Sequence, residues 1–142
     1  HVRLPETDMH TTAMWWTLPD ELAAKYDSDT LKNGMLGVTN LLRIVAPLYL
    51  MCAVWDIHVR YHVKDPFTGL PTLYLYDSIT GGIGLADKAY DMMPILLQRA
   101  KETIETCPCE HGCPSCIGSQ SHTGKRDAVE LLRRMLDEQF AG

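Results

Sequence analysis

The sequence predicts an α+β domain: a small, mostly antiparallel sheet packed with helices, and a four-cysteine loop leading into a C-terminal helix. Three observations carry this expectation. Ile57, Val59, Tyr61 and Val63 alternate with His58, Arg60, His62 and Lys64, the period of two that marks a half-buried strand. Met35 to about Ala53 (MLGVTNLLRIVAPLYLMCA) is apolar nearly all round, as a buried helix is. The last segment sets Ala128, Leu131, Leu132, Met135, Leu136 and Phe140 on one face of an amphipathic helix. A chain of 142 residues, 46% hydrophobic and 22% charged, has the balance of one compact domain with its own core, and needs no disulfides to hold it.

Residues 1–8 are polar, with Pro5, and read as a linker leading into a single domain over 9–142. Met9 to Leu18 (MHTTAMWWTL) is rich in Thr and Trp and suits a strand closed by Pro19. Trp15 and Trp16 fall on opposite faces of that strand, so one at most is core-facing and the other is available to stack or to dock. Asp20 to Tyr26 makes a short helical turn, and Asp27 to Gly34 (DSDTLKNG) has the composition of a loop. The buried helix that follows is expected to kink or restart at Pro47. Asp65 to Pro71 (DPFTGLP) supplies turn chemistry between the strand Ile57–Lys64 and a second strand, Thr72 to Tyr76 (TLYLY), which together make a hairpin. Asp77 to Gly84 (DSITGGIG) is a glycine-rich turn into a helix from Leu85, with Ala89, Met93, Leu96, Leu97, Ala100 and Ile104 at helical spacing. Pro94 is expected to kink it or to begin a second helix. Ser121 or Thr123 is placed to cap the final helix.

Charge and hydropathy remove several functions. Thirteen Lys and Arg against eighteen Asp and Glu give a net charge of -5, the wrong sign for an independent duplex-DNA binder, so any nucleic-acid contact is local or assisted by a partner. The longest uncharged stretch, Ile44 to Trp55, contains Pro47 and is too short to cross a bilayer, so no membrane partner is expected. The chain opens on His1 without a leader pattern, which reads as a processed chain or a piece of a longer one.

Four of the five cysteines, Cys107, Cys109, Cys113 and Cys116, lie in CPCEHGCPSC with the spacing C-x-C-x3-C-x2-C. Disulfides between cysteines this close make strained rings and close little loop entropy. Four thiolates wrap a structural Zn(II) without strain, and they also suit an iron–sulfur cluster. Around zinc, four thiolates leave no coordination position for water, so such a site holds the fold and does no chemistry. His111, inside the loop, reads as a solvated neighbour. Cys52, alone in an apolar run, reads as an inert core residue. Reduced, metal-binding cysteines point to the cytoplasm.

A strand ending in YDSITGGIG, a long helix, CPCEHGCPSC and a closing amphipathic helix together resemble the C-terminal zinc-binding domain of MrfA-type DEAD/DEAH-box DNA repair helicases. The strand with Trp15, Trp16 and Leu18-Pro19 and the helix ending near Met51-Cys52 extend the resemblance to roughly residues 9–140. It implies an accessory domain behind two RecA-like motor domains of the same parent chain, which use ATP to move 3' to 5' along DNA. It also implies zinc as the cofactor, with Cys107, Cys109, Cys113 and Cys116 as ligands. The motor itself has no counterpart here. The nearest approach to a phosphate loop, Gly118 to Arg126 (GSQSHTGKR), has the wrong glycine spacing and Arg where a magnesium-binding hydroxyl belongs.

The remaining constellations are weaker. Gly81, Gly82 and Gly84 before a helix suit a phosphate cradle but lack its spacing, and a tight strand-to-helix turn explains them more simply. Asp56, Asp65 and Asp77 invite comparison with a nuclease metal cluster, yet no Glu-x-Lys element accompanies them. His58, Arg60, His62 and Lys64 project from one strand face and are the best local candidates for nucleic-acid contact, against the plain reading of a solvated sheet face. Lys125 and Arg126, with Arg133 and Arg134, form a second basic group diluted by Asp127 and Glu130. The function expected is therefore that of a non-catalytic zinc module of an ATP-dependent helicase that supports the motor and guides single-stranded or forked DNA. The alternatives are a protein–protein interaction module without DNA contact and, further off, a small metal-dependent nuclease.

Overall fold

A computed structural model describes residues 2–5, 12–64, 69–77, 84–117 and 124–141. Four strands, β1 (Val2–Pro5), β2 (Thr12–Thr17), β3 (Ile57–His62) and β4 (Thr72–Asp77), form one antiparallel sheet in the order β1-β2-β4-β3. The helices are α1 (Asp20–Ala23), α2 (Ser28–Leu50), α3 (Leu85–Thr106), α4 (Pro114–Ile117) and α5 (Gly124–Ala141). The α+β architecture, with the cysteine loop before the last helix, is as the sequence predicts.

Alternation assigns the two sheet faces. Met14 and Trp16 of β2, Ile57 and Val59 of β3, and Leu73 and Leu75 of β4 are buried and share one core with α2, α3 and α5. The expected hairpin forms, with Val59 opposite Leu75 and Tyr61 opposite Leu73. Of the tryptophan pair, Trp16 is 1% exposed in that core while Trp15 is half-buried on the other side.

Four expectations are corrected. Within the stretch read as a linker, Val2–Pro5 is an edge strand paired antiparallel to β2, Leu4 opposite Ala13. Its short length and Pro5 hid a strand whose hydrogen bonds come from a partner rather than from local pattern. The loop composition of Asp27–Gly34 conceals the first two turns of α2. Asp27 is the N-cap, its carboxylate accepting from the Thr30 backbone N–H at 2.7 Å, and that hydrogen bonding holds its pKa below the ordinary 3.8. Of the alternatives of a kink or a new helix at Pro47 and Pro94, the new helix is ruled out: neither proline divides its helix. α2 runs through Pro47 to Leu50, where Met51 adopts a left-handed conformation (φ 57°) and the Cys52 N–H closes on the Pro47 carbonyl at 3.1 Å. α3 runs through Pro94 to Thr106. In both, tertiary burial on the flanking turns outweighs the missing hydrogen bond. Cys52 is half-buried beside the core rather than within it.

Gly37 brings α2 against the C-terminal half of the chain. A Cβ there would lie 2.7 Å from the Ala128 Cβ of α5 and 3.2 Å from Cγ2 of Ile117 in α4, so only glycine permits this approach. Gly34 allows the same closeness a turn earlier, where a Cβ would stand 3.1 Å from the Asp127 carbonyl oxygen. The cysteine loop is thereby held between α2 and α5.

Candidate metal centre

α3 releases the chain at Thr106, and Cys107 takes an extended conformation that turns it across the end of the helix. The chain then reverses at Gly112, whose φ of 134° is open to glycine and closed to other residues. After it, the N–H groups of Cys116 and Ile117 both close on the Cys113 carbonyl, at 3.2 and 3.0 Å, and this single turn swings Cys116 back towards Cys113. The turn is fixed from outside by α2, where Asn40 Nδ2 donates to the Cys116 carbonyl at 3.0 Å. From α5, the Lys125 backbone N–H donates to the His111 carbonyl at 2.8 Å, while its ammonium donates to the carbonyls of Cys107 (2.8 Å) and Cys109 (2.7 Å).

These contacts gather four sulfurs. The Sγ atoms of Cys107, Cys109, Cys113 and Cys116 all lie within 4.8 Å of one another, and they are the one group of three or more ligating side chains among the described residues. The Cys107–Cys113, Cys109–Cys116 and Cys113–Cys116 separations are 3.6, 3.5 and 3.7 Å. A disulfide needs about 2.05 Å. Four sulfurs arranged tetrahedrally at the usual zinc–sulfur distance of about 2.3 Å stand roughly 3.8 Å apart, so the donor set fits that ion. His111 lies outside the group, its exposed ring 3.6 Å from the Glu110 carboxylate.

Burial pushes the Cys116 thiol, 3% exposed, up to about 12 from its ordinary 9.0, and desolvation likewise raises Cys109. Without metal, Cys116 and Cys109 therefore hold their protons more tightly, and metal binding must expel them. The pH dependence of stability then has opposite signs in the two forms. Without metal, the raised folded-state pKa favours the native chain fully below about pH 9 and forfeits that contribution as pH climbs through about 12. With metal, thiolates are the ligands, so acidification protonates them and releases the ion. Urea midpoints across pH, measured with and without chelator, should move in opposite directions. A chelated chain that gains stability above pH 9 would contradict this account. Gly112→Ala is expected to weaken metal affinity about tenfold, because the positive φ becomes strained by about 1–3 kcal/mol and the new methyl collides with Cδ1 of Ile117. A competition titration with a chromophoric chelator reads that change directly.

A family profile described as the MrfA Zn-binding domain matches residues 38–117. The chain belongs to that family. Zinc is thus its structural metal, and the iron–sulfur alternative left open by the cysteine spacing falls away. Over 140 residues this MrfA zinc-binding domain is 39% identical to the uncharacterized ATP-dependent helicase YprA of Bacillus subtilis, covering 96% of this chain and 18% of that protein. It is 39% identical over 128 residues to the ATP-dependent helicase HRQ1 of Saccharomyces cerevisiae, covering 81% of this chain and 12% of that protein. The crystal structure of the DUF1998 helicase MrfA bound to DNA matches it with a TM-score of 0.78 and 38% identity, over 87% of this chain and 17% of that one. The domain therefore spans a small fraction of the helicases it resembles.

The other predicted site residues lie apart from the metal cluster. His58, Arg60 and His62 share the outward face of β3, His58 half-buried and the other two exposed, and Lys64 is exposed just beyond the strand. Arg126 is exposed with its guanidinium 3.6 Å from the buried Asp127 carboxylate. Lys125 has a different occupation from the one expected: its ammonium is held by two loop carbonyls, a clamp that no sequence spacing announces. Asp56 accepts from the Ala53 backbone N–H at 3.0 Å, Asp77 is buried at the end of β4, and Asp65 lies outside the described residues, so no acidic metal cluster is assembled among the residues described. Gly81, Gly82, Ser121, Thr123 and most of the Gly118–Arg126 segment also lie outside them. Gly84 is described, with φ of 80° at the start of α3. No described helix is long and apolar enough to cross a membrane.

Proposed function

We propose that this domain is the non-catalytic, C-terminal zinc module of an ATP-dependent 3'–5' DNA repair helicase of the cytoplasm, and that its parent chain carries the motor domains. The observation that carries the reading is its resemblance, along nearly its whole length, to a segment of proteins named as ATP-dependent helicases, together with its likeness to a helicase structure bound to DNA. Cys107, Cys109, Cys113 and Cys116 are the zinc ligands. The ion they hold ties the end of α3 to the start of α5, so that neighbouring surfaces keep one geometry when the motor moves.

Two surfaces divide the work. His58, Arg60, His62 and Lys64, with Arg126, contact single-stranded or forked DNA by neutralising phosphate locally. Leu48, Met51 and Trp55 are 73, 85 and 75% exposed along one end of α2 and just beyond it, and this apolar stripe braces the motor domains. The net charge of -5 makes DNA binding by the domain alone weak and steeply salt-dependent.

Labelled single-stranded DNA titrated at low and moderate salt tests the reading. Replacing His58, Arg60, His62 and Lys64 together by Ala should lower affinity severalfold at low salt and flatten the salt dependence. Unchanged binding would favour a module that touches protein alone.

A further inference from the structure

The outward face of the sheet carries more than its basic residues. Alternation places Trp15 of β2, Tyr74 and Tyr76 of β4, and His58 and His62 of β3 on that side, around Arg60. Register joins them in rows: Tyr76 faces His58, and Tyr74 stands between Trp15 and Arg60. The rings touch accordingly. His58 stacks on Tyr76 at 5.0 Å with planes 20° apart, Trp15 tilts against Tyr74 at 6.2 Å, and His62 meets the Tyr74 edge at 5.7 Å. None of the outward positions of β2, β3 and β4 holds a carboxylate.

Along the β3 edge this ridge is bordered by a groove of about 350 Å³ lined by Arg43, Ile57, His58, Val59 and Arg60. Arg43 reaches it from α2, donating Nε and Nη2 to the Val59 carbonyl at 3.1 and 2.7 Å. That contact fixes a second guanidinium beside Arg60 and occupies an edge carbonyl that another strand would otherwise use. Cross-strand aromatic pairing alone stabilises a sheet, by about 0.2–1 kcal/mol per pair. Pairing alone does not explain why the rings surround Arg60, with Arg43 at the strand edge beside it, at strand positions that carry no acid. Faces of π-rings beside a cationic track are what an unpaired strand requires, since bases stack on rings and phosphates follow the cations.

We infer that this sheet face is a stacking platform for the unpaired bases of a single-stranded nucleic acid, whose phosphates run along the Arg43–Arg60 groove. The inference rests on the reading that this face meets single-stranded DNA, and adds to it the physical basis of that preference and the residues that supply it. In a duplex the base faces are already stacked, so the rings discriminate against it. Stacking reads no hydrogen-bond pattern, so the preference extends to strands of any sequence.

The test uses the zinc-loaded chain with labelled oligothymidylate and a blunt duplex of matched length, at low salt. Tyr74→Ala and Tyr76→Ala should each weaken single-strand binding about tenfold, within the range seen for base–aromatic stacking, and leave duplex binding unchanged. Tyr74→Phe and Tyr76→Phe should bind as wild type, which separates removal of a ring from disturbance of the fold. Arg43→Ala with Arg60→Ala should weaken both ligands and lower the salt slope by about one for each phosphate no longer neutralised. If the tyrosine variants bind single strands as wild type while the arginine pair is weakened, nucleic-acid contact stands and the stacking platform falls. If no variant differs from wild type, both fall, and the face is one that another protein surface covers.

Discussion

Cys113→Ser is expected to abolish stoichiometric zinc binding and with it the ordered packing of α4 and the start of α5. Cys113 provides one of the four gathered sulfurs and also the carbonyl on which the Cys116 turn closes. Ser keeps that carbonyl and the approximate size, so the effect isolates the thiolate. Structural zinc in comparable small sites contributes apparent binding energies of about 10–16 kcal/mol, and a three-thiolate site forfeits most of it. The sheet and the α2–α3 contact belong to the shared core but make most of their packing away from the cysteine loop and should persist, giving a broadened, partial unfolding transition. Metal content by mass spectrometry and urea unfolding followed by circular dichroism check both halves of the expectation. Cys52→Ser, outside the cluster, should retain a full equivalent of zinc. Retention of a full equivalent by Cys113→Ser would overturn the assignment of the ligands.

Trp16→Ala should cost about 3–5 kcal/mol, a large share of the stability of a domain this size. Trp16 is among the largest fully buried side chains, and its removal leaves a cavity where β2 meets the helices. Trp15→Ala, at the adjacent position, should cost about 1 kcal/mol or less, because its ring is half-buried and tilts against Tyr74 on the outward face. Paired urea melts measure the contrast. Equal destabilisation would mean that the two faces of β2 are not distinguished as the register requires.

The metal cluster was legible because its ligands are close in sequence: four cysteines spaced by one to three residues leave few geometries, and chemistry selects among them. The β3–β4 hairpin was legible for a similar reason, since a period of two written in Ile57–Val63 and Leu73–Tyr76 survives whatever surrounds it. The outward rings Tyr74 and Tyr76 were readable from the same alternation, although their partners Trp15 and His58 come from other strands and only pairing brings them together.

What the sequence determined alone, then, is local: the periods of its strands and helices, and the donor chemistry of one short loop. The tertiary structure decided everything that depends on a distant partner. It made Val2–Pro5 a strand through its pairing with β2, carried α2 and α3 through Pro47 and Pro94, and turned Lys125 from a surface cation into the clamp of the cysteine loop. The physical reason is common to all three. Propensity and spacing act over a few residues, whereas a free backbone edge, a proline inside a helix and a half-buried ammonium are stabilised by hydrogen bonds and burial from segments far along the chain.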